Sequence, residues 1–427
     1  MSPSIDHFIP FARPSLGRDE EDAVVSVLRT GWLTTGRETL QFEKEFAEFV
    51  GAPYALAVNS ATAGLHLALE ALRLAPGELV VTTPYTFTST AEVIRYRGGH
   101  PLFVDIEEDT LNMDPDLVER AVKERAEKQE QTVRAIIPVH VGGLPCDMGR
   151  LRAVAGDEAS VGTAGAAPSR GAAGTAAPGE NSGHGRIALV EDAAHAFPVK
   201  TEAGYAGTLG DIGVFSFYAT KPLATGEGGM IVTRDEHLAK RISIMRLHGI
   251  DREVWNRYQA KGHTSWKYDV IDAGYKYNMT DMAAAIGRVQ LSKSQRFLTR
   301  RRQIAERYRT GFAGADFLQL PAYTQQHAWH LFILTIVPER LSIDRDAFIH
   351  KLSEFGIGTS VHYIPLHIMS YYRRQYGFKP EDFPVALRTY QTCFSLPIYP
   401  DLTDEEVEYI IATVLEVGEQ ARRRVYR

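Results

Sequence analysis

Apolar positions along this chain come in short, dense runs separated by longer stretches of mixed polarity. Runs near residues 54–59, 79–83, 101–106, 134–141, 186–192, 212–217 and 229–233 are rich in Val, Ile, Leu and Phe, and they read as buried strands. Helical spacing fills the intervals, beginning with a helix from about Asp19 to Arg29. Strands that are apolar on both faces and alternate with helices predict an α/β fold with a mostly parallel sheet covered on both sides. Toward the C-terminus the pattern changes. Thr280 to Leu291 reads as a helix, and a further helix near residue 295 carries Arg300, Arg301 and Arg302. Trp329 to Ile336 reads as a strand, Asp346 to Phe355 as a helix, and Thr403-Asp404-Glu405-Glu406 as a capping box opening the last helix. The predicted organisation is an N-terminal arm and large domain over residues 1–294, then a small α+β domain over 295–427. The arginine run reads as the solvated face of a long helix rather than a phosphate clamp.

One stretch of the large domain breaks the alternation. At about 155–185, and most clearly from Gly162 to Gly179, the chain is a low-complexity mix of Gly, Ala, Ser, Thr and Pro without the apolar period needed to pack. It is expected to be a tolerated surface insertion.

The chemistry concentrates where strands stop. Lys221 follows the strand ending at Phe217 and precedes Gly226, Gly228 and Gly229, so it sits in a strand-to-strand loop in an apolar setting. Desolvation lowers a lysine pKa and frees the amine for attack on an aldehyde, whereas a plain loop lysine would contact phosphate or water. Asp192 ends an apolar run at a strand terminus, where ligands of open α/β sheets collect. It can hold a protonated ring nitrogen or cap the turn that follows. Strand alternation turns Glu191 the other way. Ala61 and Thr62 open a small-residue helix whose first amides suit a phosphate dianion, with Ser216 as a further donor. Phe87, just past a strand, suits stacking on a flat ring or packing in a core.

Together these segments resemble the DegT/DnrJ/EryC1/StrS sugar aminotransferases, pyridoxal phosphate enzymes of the fold type I class. The resemblance rests on Gly31 to Gly36, Asn59 to Leu65, Pro84 to Phe87, Glu191 to Ala196, the Lys221 segment, Gly274 to Asp281 and Val361 to His367, in that order. It implies a seven-stranded sheet with one antiparallel strand, the one after Lys221. It implies that Lys221 carries the pyridoxal 5'-phosphate as a Schiff base, Asp192 holds the pyridine nitrogen and Phe87 stacks on the ring. Thr62 and Ser216 would bind the phosphate, and His195 would lie near the phenolic oxygen. Asn278 would come from the second subunit of a homodimer with shared active sites. Trp32, Thr34, His362 and Tyr363 fall in segments that line the sugar and donor site in relatives. The expected reaction moves an amino group from L-glutamate to a nucleotide-linked keto sugar, with a 4-keto, UDP-linked acceptor favoured. A 3-keto sugar or a keto-cyclitol is the alternative acceptor, and a non-catalytic regulator would be expected to have lost Lys221, Asp192 or Asn278.

Composition narrows the classes without choosing among them. The 427 residues, 44% hydrophobic and 23% charged, suffice for one large and one small core. A net charge of −6 argues against general nucleic-acid binding. Two cysteines, Cys146 and Cys393, give neither a disulfide framework nor zinc spacing, and no metal is expected. No run reaches membrane-span length and the start lacks the features of a signal peptide, so a cytoplasmic location is expected.

Overall fold

The computed structural model describes residues 5–128, 131–156, 186–251 and 268–423. Apart from its first two residues, the expected insertion at about 155–185 lies outside them. Two amphipathic helices open the chain, α1 (Arg18–Thr30) and α2 (Arg37–Val50). The strands of the large unit follow: β1 (Tyr54–Val58), β2 (Leu79–Thr82), β3 (His100–Phe103), β4 (Val133–Ile136) and β5 (Ala188–Asp192). A two-residue-per-strand hairpin, β6 (Lys200–Thr201) and β7 (Gly204–Tyr205), precedes β8 (Ile212–Ser216) and β9 (Gly229–Thr233).

Seven of these strands form one sheet in the order β1-β9-β8-β5-β4-β2-β3. Only β9 runs against its neighbours, antiparallel to both β1 and β8. The reversal follows from the short Lys221 loop, which is too small for the helical crossover a parallel return requires. Central strands such as β2 and β9 are buried at every position, which is why they read as unbroken apolar runs. Helix α3 (Ala61–Ala71) lies tightly over the sheet. A Cβ on its Gly64 would stand 2.7 Å from Val214 Cγ1, so glycine sets that packing distance.

A second, antiparallel sheet of β10 (Leu318–Gln319), β11 (Phe332–Ile336) and β12 (Cys393–Leu396) carries its own core, with Tyr308, Phe312, Trp329, Phe348, Phe394 and Ile410 fully or almost fully buried. The last helix, Asp404–Gln420, opens with the predicted capping box: Thr403 Oγ1 accepts from the Glu406 N–H at 3.1 Å and Glu406 Oε2 from the Thr403 N–H at 2.7 Å.

Three sequence expectations are corrected here. Thr280 to Leu291 is the start of one 32-residue helix, Asp281–Phe312, which continues without interruption through residue 295. Ala284, Leu291, Leu298, Ala305 and Phe312 are all buried on it, so a single apolar stripe runs its length beneath many polar residues. The arginine run is not a solvated face. Arg301 is 3% exposed and donates to the carbonyls of Trp329 and Ile398, Arg300 donates to Asp404 and the Leu402 carbonyl, and Arg302 to the Gln325 carbonyl. The strand expected from Trp329 begins only at Phe332, because Ala328 and Leu331 give their N–H groups to Gly143 and Gly142 of the large unit instead. None of the described helices is long and apolar enough to cross a membrane.

Candidate active site

β5 delivers Asp192 to the carboxyl edge of the large sheet. The side chain is 5% exposed; Oδ2 accepts from Thr90 Oγ1 at 2.8 Å and Oδ1 from the Ala194 N–H at 3.2 Å. Burial pushes its carboxyl up from the usual value, opposed by those two hydrogen bonds and by the charge of Lys221. Asp192 therefore caps its turn with one oxygen, as the cap reading of this aspartate requires, while its charge acts on Lys221. Glu191 points the opposite way, as alternation requires. It is fully buried, accepting from the N–H groups of Gly207, Leu209 and Gly210 at 2.6–2.7 Å and from His140 Nε2 at 3.0 Å.

Lys221 stands in the loop between β8 and β9, with its backbone N–H on the Tyr218 carbonyl at 2.9 Å. Its amine makes no hydrogen bond among the described residues. Desolvation brings its pKa down from 10.5 to about 8, although Asp192 pulls the other way. Three imidazoles surround this pair. Burial and the nearby Lys221 charge push His195 and His330 well below the usual histidine range and His362 down to about 3, so all three are neutral near pH 7. The His195 and His330 rings lie 4.4 Å apart, and Tyr363 Oη is 2.9 Å from His195 Nε2. His362 places Nδ1 2.9 Å from Ser395 Oγ, while its carbonyl accepts from the Tyr85 hydroxyl.

The phosphate candidates meet through strand register. Val58, Gly229 and Ser216 are paired across β1, β9 and β8, and Val58 leads within a few residues to the first turn of α3. A Cβ on Gly229 would come within 2.9 Å of the Ala61 nitrogen, so glycine lets the sheet edge abut the helix start. Ser60 caps α3 by accepting from the Ala63 N–H at 3.1 Å, and the Ala61 and Thr62 amides lie in the first turn, the end of a helix that favours an anion. Phe87 is 61% exposed, which removes the core-packing reading and leaves an open aromatic face.

Asn278, Thr34 and Trp32 form a separate group. Asn278 Nδ2 donates to Thr35 Oγ1 at 2.7 Å and lies 3.5 Å from Thr34 Oγ1, and Trp32 Nε1 donates to the Thr35 carbonyl at 3.1 Å. Asp281 organises this group by accepting from the N–H groups of Gly36, Glu38 and Thr39 at the start of α2. Trp32 also lines a groove of about 1020 Å³ between α1, α2 and the long helix, which contains none of the residues around Lys221. Asn278 also bridges Val58 at the end of β1, where the Asn59 N–H donates to the Tyr277 carbonyl at 2.8 Å, so this group adjoins the strand that leads to the start of α3.

Sequence reasoning missed Thr90, Gly142 and His330. Thr90 sits in the polar run after Phe87, and nothing in that run marks one threonine over its neighbours. Gly142 donates its N–H to His195 Nδ1 at 3.2 Å from a loop in which Gly142 and Gly143 both have positive φ. The Gly142-Gly143 pair was a visible turn signal. His330 comes from the far end of the chain and is recognisable only in three dimensions.

Comparisons with known proteins identify the family. The model of the DegT/DnrJ/EryC1/StrS aminotransferase family matches residues 14–174 and 180–415. The spore coat polysaccharide biosynthesis protein SpsC of Bacillus subtilis is 43% identical over 415 residues, covering 96% of this chain and 97% of that protein. A Streptococcus pneumoniae protein described as a sugar aminotransferase, Spr1654, solved in its PMP form, superposes with a TM-score of 0.84 at 34% identity, covering 96% of this chain and 99% of its own. The aminotransferase TlmJ from Streptoalloteichus hindustanus follows at 0.80 and 31%, covering 97% and 99%. This chain belongs to the DegT/DnrJ/EryC1/StrS aminotransferase family and is a pyridoxal phosphate-dependent transaminase of the α/β, fold type I architecture.

Proposed function

We propose that this transaminase carries an amino group from L-glutamate to a nucleotide-linked keto sugar, with a 4-keto, UDP-linked sugar as the favoured acceptor, in the assembly of cell-surface polysaccharide. The observation that carries the proposal is the meeting of Lys221 and Asp192 in one cleft, the lysine with a pKa of about 8 and the carboxyl held by Thr90 and Ala194. The polysaccharide role printed for SpsC and the sugar substrate class printed for Spr1654 support the acceptor class.

The residues present fit an aromatic aldehyde phosphate. A buried carboxylate suits a protonated ring nitrogen, an exposed Phe87 offers a stacking face, and the α3 amides with Ser216 suit a dianion. When bound, the cofactor supplies an aldehyde that takes up the amino group and a ring that spreads the charge left on the substrate carbon. Asp192 holds the ring nitrogen protonated. Lys221 Nζ would hold the cofactor's aldehyde carbon and would serve as the acid/base that moves a proton from the donor's α-carbon and, in the return half, to the acceptor carbon. A pKa near 8 suits that task, since both forms of the amine are populated near neutral pH. Ala61, Thr62 and Ser216 bind the phosphate, and neutral His195, His362 and Tyr363 line the acceptor side without adding positive charge. Trp32, Thr34 and Asn278, gathered around Thr35 and the start of α2, serve the cleft of a second copy in a homodimer, with Asn278 on the phosphate.

The test is a visible spectrum of the purified protein loaded with pyridoxal phosphate. L-glutamate should bleach the visible band, and one nucleotide-linked keto sugar from a panel of 4-keto and 3-keto acceptors should restore it. Restoration only by small keto acids, with no keto sugar active, overturns the proposed acceptor class.

A further inference from the structure

His195 has no proton to spare for a ligand. A backbone N–H can only donate, so the 3.2 Å contact from Gly142 to Nδ1 makes that nitrogen an acceptor and leaves the single imidazole proton on Nε2. Nε2 lies 2.9 Å from Tyr363 Oη. It therefore donates to the phenol oxygen, and the phenol's own proton must point elsewhere. Among the described residues the Tyr363 hydroxyl has no second partner, and the two rings are near parallel at 16° with their centroids 6.0 Å apart. A partly buried O–H with no acceptor is costly unless a ligand supplies one.

On the reading that the Lys221–Asp192 cleft holds the cofactor, we infer that Tyr363 is the hydrogen-bond donor to the cofactor's ring oxygen, and that His195 acts through Tyr363 as a positioning residue. The resemblance places His195 itself near that oxygen; the hydrogen-bond directions move the donor one side chain outward. Burial and the Asp192 charge hold the Tyr363 phenol well above its ordinary range, so it keeps its proton at any working pH. The titratable groups facing the same space are Asp192 from β5, Lys221 from the β8–β9 loop, and His195, His330 and His362, with Tyr85 behind Tyr363. The Tyr363 phenol is distinguished from these groups by its geometry: its oxygen already accepts from His195, so its own proton is directed away from that ring.

The readout is the pH midpoint of the visible absorption change of the bound cofactor, which is independent of turnover. A donor at the ring oxygen stabilises negative charge there. Without it that oxygen holds the neighbouring proton more tightly and the midpoint rises. Tyr363→Phe should raise it by about one to two pH units, the size of one hydrogen bond to a charged acceptor. His195→Gln can still accept from Gly142 and donate to Tyr363, so its midpoint should stay within about half a unit of the unmodified protein. In the cofactor-free protein, ¹⁵N spectra should show the His195 proton on Nε2, assigned by its loss in His195→Gln. That measurement tests the hydrogen-bond directions even where Tyr363→Phe binds no cofactor. An unmoved midpoint in Tyr363→Phe, or a proton on Nδ1, overturns the inference. If the loaded, unmodified protein has no visible band that Lys221→Ala abolishes, the cofactor-site reading falls and this inference with it.

Discussion

Replacing Lys221 by methionine should stabilise the cofactor-free protein while abolishing its chemistry. The fall of the lysine pKa from 10.5 to about 8 means that the folded chain disfavours the ammonium form. At ~1.36 kcal/mol per pH unit, that is about 3 kcal/mol carried at neutral pH. The sign follows from proton counting. Between pH 8 and 10.5 the unfolded chain binds more protons at this residue than the folded one, so stability rises with pH through that window. Below pH 8 both states are charged and the full cost is present; above 10.5 both are neutral and it is gone. Methionine keeps much of the volume and apolar stem without the charge, so at pH 7 the variant should gain up to about 3 kcal/mol. The assay is urea denaturation at several pH values and one fixed protein concentration, because oligomer stability depends on concentration. The quantity read is the difference between the two proteins, which cancels other titrating groups. A difference that does not shrink between pH 8 and 10.5, or a variant less stable at pH 7, refutes the reasoning.

Lys221→Ala should lose the visible cofactor band and orders of magnitude of transamination, checked by absorption and single-turnover kinetics. Phe87→Ala should leave the urea midpoint nearly unchanged, because the ring is 61% exposed, yet weaken cofactor binding by roughly 2–10-fold, as expected for one lost aromatic stack and measured by equilibrium dialysis. Glu191→Gln places an amide among four donors in a fully buried site and should cost about 3–5 kcal/mol in urea denaturation. Asn278→Ala and Lys221→Ala subunits, each inactive alone, should regain part of the activity when mixed, because a mixed pair rebuilds one cleft with both residues; no recovery removes the shared-site proposal.

The large sheet was legible because parallel strands buried on both faces leave dense apolar runs, and the reversal of β9 was expected from the family resemblance, with the shortness of the Lys221 loop as its physical reason. Asp192 and Lys221 could be read because each sits at the end of such a run. The continuous helix from Asp281 to Phe312 was not, since its buried stripe is diluted by arginines whose charge suggests solvent. Arg301 defeats that inference by giving its guanidinium to the carbonyls of Trp329 and Ile398, partners that no local pattern announces. His330 escaped for the same reason. Its neighbour His195 lies far away in sequence, and the hydrogen bonds from Ala328 and Leu331 to the Gly142-Gly143 loop, with the packing of Val141 against Leu331 and Ile333, bring them together.

That loop explains why Glu191, which faces away from the cleft, still governs it. His140 Nδ1 accepts from the Cys146 N–H at 3.1 Å, so its proton lies on Nε2 and goes to Glu191. His140 is thereby fixed immediately before Val141, Gly142 and Gly143, and Asn112 Oδ1 takes the Val141 N–H at 2.9 Å. Gly143 cannot be another residue without strain: its φ is 102°, and a Cβ would stand 2.7 Å from Ala328 Cβ and 2.8 Å from the His195 carbonyl oxygen. The loop so held aims one N–H at His195, sets its tautomer and orients Tyr363. Adjacent residues of one strand thus divide the work by the period of two. Asp192 faces the cleft, while Glu191, on the other side of the sheet, anchors the backbone that decides which atom in the cleft carries a proton.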